Sequence, residues 1–288
     1  MYAAHDVRYE ERPEPTILEP TDAVIRTVAS CVCGSDLWRY RGISPMSEPA
    51  AMGHEYVGVV EEVGEAVTTL TPGQFVVGGF LHSDNTCPVC VKGMHASCQH
   101  GGGFDGCQAE RIRIPNADGT LLATPAQPDE DLIPSLLALS DVMCTGWHAA
   151  VCAGVTPGAT VVVVGDGAEG IARIKEMTDG IGADCVLECV GTEDARLQAV
   201  GCVRPGGQIG LVGVPHGELP MDQLFWANVG VKGGPAPVRA YLPHLLDMVW
   251  NRVIDPGKVF DLTLPLSEVV EAYRAMDERR AIKVMLRP

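Results

Sequence analysis

Short apolar runs broken by glycine and proline fill the first part of the chain, at 23–29, 56–63, 74–79 and 110–114. Runs of that length between turn residues predict strands joined by irregular loops, and so a β-rich domain. Between Leu132 and Ala153 the texture changes. Leu136, Leu137 and Leu139, then Trp147 to Val151, predict helix. A continuous β-branched run follows, from Thr160 to Val164, ending in Gly165-Asp166-Gly167. Such a run predicts a strand buried on both faces of a parallel sheet.

Further strands are predicted at 185–189 and 208–214, with 193–203 as the crossover helix between them. Residues 241–252 and 267–280 read as helices, and 282–286 as a closing strand. The order implies a β-rich domain over 1–143, an α/β domain over 144–233, and a tail, 234–288, that returns to the first domain.

Composition narrows the function. A chain of 288 residues suits two domains with separate cores. Its net charge of −16 disfavours nucleic acid and anionic membrane as partners, since both need basic surface. No stretch approaches the roughly 18 apolar residues of a membrane span. The first six residues lack the regions of a signal peptide, so a cytoplasmic protein is expected. Eleven cysteines are an odd number in a chain too long to need staples. Cys185 and Cys189, inside a predicted strand, read as small core residues in a reducing compartment.

Two short motifs carry the chemistry. Cys33-Gly34-Ser35-Asp36 and Gly53-His54-Glu55, together with Asp141, offer a thiolate, an imidazole and carboxylates. These are the ligand types that hold a catalytic Zn²⁺ with one position open. Taken alone, an Asp before a helix is an ordinary N-cap and a single Cys is ordinary core. The combination is what points to metal. Farther on, Cys87, Cys90 and Cys98 give C-x₂-C-x₇-C, a metal-type spacing.

The run 33–36, the block Gly53-His54-Glu55-Tyr56-Val57-Gly58 and the strand-turn 161–167 resemble the zinc-dependent alcohol dehydrogenases of the medium-chain dehydrogenase/reductase superfamily. The resemblance covers nearly the whole chain. It implies a GroES-like catalytic domain followed by a Rossmann-type cofactor domain, a small alcohol or carbonyl substrate, NAD or NADP, and a homo-oligomer.

It implies catalytic zinc on Cys33, His54 and Asp141, with Glu55 exchanging on and off the metal and Ser35 passing the substrate proton outward. Trp38 stands where some relatives place a relay histidine, which leaves the path beyond Ser35 undefined. The family's second, structural zinc sits on four cysteines. Here the first of those positions holds Asp84, giving Asp84, Cys87, Cys90 and Cys98. The alternatives are a lobe without metal, His82 or His95 filling in, or a disulfide. Cys107 reads as incidental.

The cofactor region contains a conflict. Gly165-Asp166-Gly167-Ala168-Glu169-Gly170 satisfies G-x-G-x-x-G after a strand, and Glu188 follows at the spacing of a ribose-binding acid. The resemblance reads the region differently. Residues 171–180 match a later helix and 184–191 the fourth strand of the family, so roughly fifty residues of the first mononucleotide-binding half are missing after Ala168. The Rossmann domain is then truncated, Gly170 is a chance match, and Glu188 is a strand residue.

The retained cofactor contacts are Gly165 and Gly167 in the first turn and Val190, Gly213 and Val214 beside the nicotinamide. Lys283 matches a basic residue near the pyrophosphate, and Arg239 is a second candidate. The competing reading is a zinc-binding protein of the same fold whose cofactor binding is weak or lost through the deletion. A zinc hydrolase lacks a separate general-base constellation.

Overall fold

The computed structural model describes residues 1–164 and 170–288. They form two compact units, Met1–Cys144 with Pro237–Pro288, and Thr145–Ala236.

The first unit contains strands β1 (Ala23–Cys31), β2 (Tyr56–Val63), β3 (Phe75–Gly78), β4 (Leu81–His82), β5 (Gly102–Gly103), β6 (Arg111–Ile114) and β7 (Leu121–Ala123). The second contributes β8 (Val161–Val164), β9 (Ala183–Glu188), β10 (Val203–Leu211) and β11 (Gly230–Gly233). The chain then returns to the first unit with β12 (Leu262–Pro265) and β13 (Val284–Arg287).

The main sheet of the first unit runs β12-β13-β1-β2-β3-β7. β1 is its hub. One edge pairs antiparallel with β2; the other is shared, with β6 opposite Ala23–Arg26 and β13 opposite Ser30 and Cys31. The hub is buried almost throughout, so its apolar run does not alternate. One core gathers Ile25, Tyr56, Ile112, Ile114 and Leu121. Cys107 lies in that core, as an incidental cysteine would. A second core packs Val32, Leu37 and Tyr40 against Tyr273 and Ala275 of the helix Val269–Asp277, with Val284 and Leu286 of β13. Each of these large side chains contributes about 1.5–3 kcal/mol by leaving water. The returning C-terminal strand thus becomes part of the wall beneath the loop that carries Cys33.

In the second unit four parallel strands lie in the order β8-β9-β10-β11. The helices Gly170–Met177 and Glu193–Cys202 cover the face of Val186 and Ile209, while Ala149 and Ala153 cover the face of Cys185 and Leu187. The helix Glu193–Cys202 is started by Thr192, whose hydroxyl accepts the Ala195 N–H, with Glu193 and Asp194 in the first turn complementing the helix dipole.

One expectation needs correction. The run 160–164 reads as a strand buried on both faces, yet Val161 is 38% and Val163 65% exposed. The strands are laid down in sequence order, so among the described residues β8 is paired on one side only and forms an edge. The expected strand 208–214 also shifts, to Val203–Leu211, with an irregularity between Val203 and Gln208.

Candidate metal centres

The first centre is built from loops at the ends of β1 and before β2. Cys33 follows β1, and its loop is fixed when the Cys33 N–H donates to Asp36 Oδ2 at 3.0 Å. Gly53 holds φ +90°, a conformation suited to glycine, in the turn that leads through His54 and Glu55 into β2. Asp141 lies just before the helix Val142–Cys152.

Folding brings Cys33, His54, Glu55 and Asp141 together, each offering a ligand atom within 4.8 Å of the others. Asp141 Oδ2 is 3.7 Å from Cys33 Sγ and 3.3 Å from His54 Nε2. Ligands 2.0–2.3 Å from a tetrahedral zinc stand about 3.3–3.8 Å apart, so the spacing fits that ion.

The electrostatics fit it as well. Burial, then the Glu55 carboxylate, push the Cys33 thiol up. Burial opposes charge on His54, but the Cys33 sulfur and the Asp141 and Asp36 carboxylates hold its pKa well above the usual histidine range. A cluster this rich in anionic donors is stabilised by a cation at its centre.

Sequence reading missed the group behind His54. Asp36 Oδ1 lies 3.5 Å from His54 Nδ1. Its other oxygen, besides the Cys33 N–H, accepts from Gln108 Nε2 at 3.3 Å, and Tyr273 donates to Gln108 Oε1 at 3.1 Å. A carboxylate behind a metal-binding imidazole fixes its ring and tautomer. The available signal was Asp36 itself, the fourth residue of the Cys33 motif. Ser35 Oγ stands 3.5 Å from His54 Nε2, on the ligand side of the ring.

Glu55 is fully buried; its Oε1 accepts from Lys283 Nζ at 2.6 Å, and Oε2 has no hydrogen-bond partner among the described residues. That free oxygen is available to a metal. Lys283 is therefore committed inside the metal centre, through Glu55 and the Val32 carbonyl.

The second centre lies in the lobe after β4. Asp84, Cys87, Cys90 and Cys98 offer ligand atoms within 4.8 Å of one another. Cys87 and Cys98 sulfurs are 3.9 Å apart, near the edge of a zinc–thiolate tetrahedron and far beyond a disulfide bond of about 2.05 Å. All eleven cysteines are free.

Asp84 is held in place from three directions. Oδ1 accepts the Thr86 and Cys87 N–H groups at 2.9 and 3.0 Å, and Oδ2 meets His100 Nδ1 at 2.5 Å. Burial opposes ionisation, but these hydrogen bonds keep the carboxyl well below its ordinary pKa. Backbone N–H groups of Gln99 and Cys90 lower the Cys87 thiol to about 7, while burial raises Cys90. His82 and His95 are engaged elsewhere, with Asn116 and Asn85. His100 is the residue that sequence reading missed here.

In the second unit, Val190 and the pair Gly213-Val214 follow the carboxyl ends of β9 and β10, where parallel sheets present ligand sites. The two turns touch closely: a Cβ on Gly213 would collide with the Gly191 backbone. Glu188 is fully buried, and its Oε1 accepts the Val190 and Gly191 N–H groups at 2.8 and 2.7 Å. Gly165, Gly167 and the junction Ala168-Glu169 lie outside the described residues. Arg239, in the first unit, is half-buried at the start of the helix Val238–Trp250, and burial lowers its pKa.

Residues 19–125 match the alcohol dehydrogenase GroES-like domain, and residues 151–249 match the zinc-binding dehydrogenase domain. Zinc-type alcohol dehydrogenase B of Aspergillus flavus is 32% identical over 100% of this chain and 80% of its own. The NADP-dependent isopropanol dehydrogenase of Thermoanaerobacter brockii is 28% identical over 87% of this chain and 86% of its own. Among solved structures, alcohol dehydrogenase TADH from Thermus sp. ATN1 superimposes with a TM-score of 0.89 at 26% identity, covering 100% of this chain and 98% of that one. The Aspergillus alignment runs over 345 positions against 288 residues here, so at least 57 of its positions have no counterpart in this chain.

Proposed function

The chain belongs to the zinc-dependent alcohol dehydrogenases, and from that premise we propose that it interconverts a secondary alcohol and its ketone, using zinc on Cys33, His54 and Asp141 and a nicotinamide cofactor. The observation that carries this reading is the spacing of those three ligand atoms. The Thermoanaerobacter relative's name supports the choice of a secondary alcohol.

Zinc supplies Lewis acidity, lowering the pKa of an alcohol hydroxyl and polarising a carbonyl. The nicotinamide supplies the hydride acceptor. Around these, the protein's own residues position and exchange. Asp36 aims the His54 ring. Ser35 accepts the hydroxyl proton at Oγ while releasing its own outward, a role supported by its 3.5 Å distance from His54 Nε2. Glu55, pinned through one oxygen by Lys283, would offer the other to the metal. Asp84, Cys87, Cys90 and Cys98 hold a second, closed zinc that orders their lobe.

Cofactor contacts fall to Val190, Gly213 and Val214, and the sequence motif adds Gly165 and Gly167. Lys283, which the resemblance puts near the pyrophosphate, also holds Glu55 at 2.6 Å. The reading extends to a homo-oligomer in the cytoplasm, a compartment that eleven free thiols support. Among the described residues no single helix is long and apolar enough to cross a membrane.

The test is alcohol-dependent formation of reduced nicotinamide by the zinc-loaded protein, over a panel of primary and secondary alcohols with NAD⁺ and NADP⁺. Turnover of secondary alcohols that disappears in Cys33→Ser supports the reading; no turnover of any alcohol with either cofactor contradicts it.

A further inference from the structure

A dinucleotide-binding sheet consists of two mononucleotide-binding halves. The ligand lies across the crevice where the strand order reverses, and the acid that holds the adenosine ribose ends the second strand. The second unit departs from that plan in three ways. Its strands run β8-β9-β10-β11 in sequence order, so among the described residues the order never reverses. β8 is paired on one side only among the described residues, where a doubly wound sheet would continue, and its Val161 and Val163 side chains are exposed. The single carboxylate at ribose-acid spacing, Glu188, is buried and already accepts two backbone N–H groups. The 57 or more alignment positions without a counterpart in this chain match in length the segment that the resemblance expects after Ala168.

What remains is one half. Val190 and Gly213-Val214 stand at the carboxyl ends of adjacent parallel strands, with Val214 half exposed. The His216 N–H donates to the Gly191 carbonyl and so joins the two turns into one rigid crest.

We propose that this chain recognises its cofactor through the nicotinamide mononucleotide half alone, so that reduced nicotinamide mononucleotide serves as hydride donor about as well as NADH or NADPH. In the carbonyl-reducing direction the hydride leaves the nicotinamide ring for the carbonyl carbon, a proton reaches the oxygen, and oxidised mononucleotide is released. The inference rests on the nicotinamide-dependent function proposed above.

The experiment is a titration of the zinc-loaded full chain with reduced nicotinamide mononucleotide, NADH and NADPH, following nicotinamide fluorescence and heat of binding. The expected result is saturable binding of all three, with dissociation constants within tenfold of one another. A dinucleotide that binds more than tenfold tighter than the mononucleotide overturns the inference and leaves the proposed function standing. Saturable binding of none of the three overturns both.

Discussion

Lys283 and Glu55 form an ion pair of 2.6 Å in which both side chains are almost wholly removed from water, 5% and 0% exposed. The lysine arrives on the last stretch of chain and the glutamate stands beside His54, so the pair ties the C-terminus to the metal centre. Removing one partner leaves an uncompensated buried charge, a loss of about 3–5 kcal/mol. Lys283→Met is expected to lower unfolding free energy by that amount in denaturant melts. The double change with Glu55→Gln, which leaves no buried charge, is expected to recover much of it.

The lobe after β4 tests the second metal. Asp84 stands with three cysteines in the donor set. Wild-type protein is expected to hold two zinc ions per chain by elemental analysis. Asp84→Ala is expected to hold one and to expose the 84–100 lobe to protease, while Asp84→Cys restores the second ion.

Ser35 tests the proton path. Ser35→Ala is expected to reduce kcat/KM for alcohol oxidation by about 10²-fold, at the low end for a positioned proton-transfer group. Zinc content is expected to stay unchanged. A loss of zinc in that variant would make Ser35 a structural residue.

Acid stability has a separate source. The Asp118 carboxylate accepts four hydrogen bonds, from the N–H and hydroxyl groups of Thr68 and Thr69, at 2.6–3.0 Å. Burial opposes ionisation, yet these donors hold its pKa below the ordinary 3.8. A depressed carboxylate pKa gives stability that is present above the unfolded value and is lost as pH falls through the folded one. Asp118→Asn is expected to cost about 1 kcal/mol at neutral pH, discounted for its partial exposure, and to flatten the stability profile below pH ~4.

Gly191 tests the crest. Its φ is +94°, and a Cβ there would strike the Val214 carbonyl. Gly191→Ala is expected to destabilise the second unit by about 1–3 kcal/mol, read as an early phase in thermal unfolding.

Much of the fold was legible because the relevant signals are local. Glycine- and proline-bounded apolar runs marked β1, β2, β3 and β6, and Cys33, His54, Glu55 and the three cysteines of the second set stand in short motifs, whereas Asp84 and Asp141 are assigned through the family resemblance. What escaped depends on chain brought from elsewhere. Val161–Val164 looks central by composition, but its burial depends on a neighbouring strand that no local pattern can supply. Lys283 carries no sign in sequence that it meets Glu55, 228 residues away. Asp36 and His100 escaped because a residue that supports a ligand has no spacing rule of its own; only folding brings it to His54 or Asp84.

The most direct test of the central claim is to strip the protein of metal, titrate zinc back, and follow alcohol-dependent reduction of nicotinamide. Activity absent in the stripped protein and returning in step with zinc, but not in Cys33→Ser or His54→Ala, is the result this account requires. Alcohol oxidation that persists without metal, or survives loss of Cys33, would contradict it.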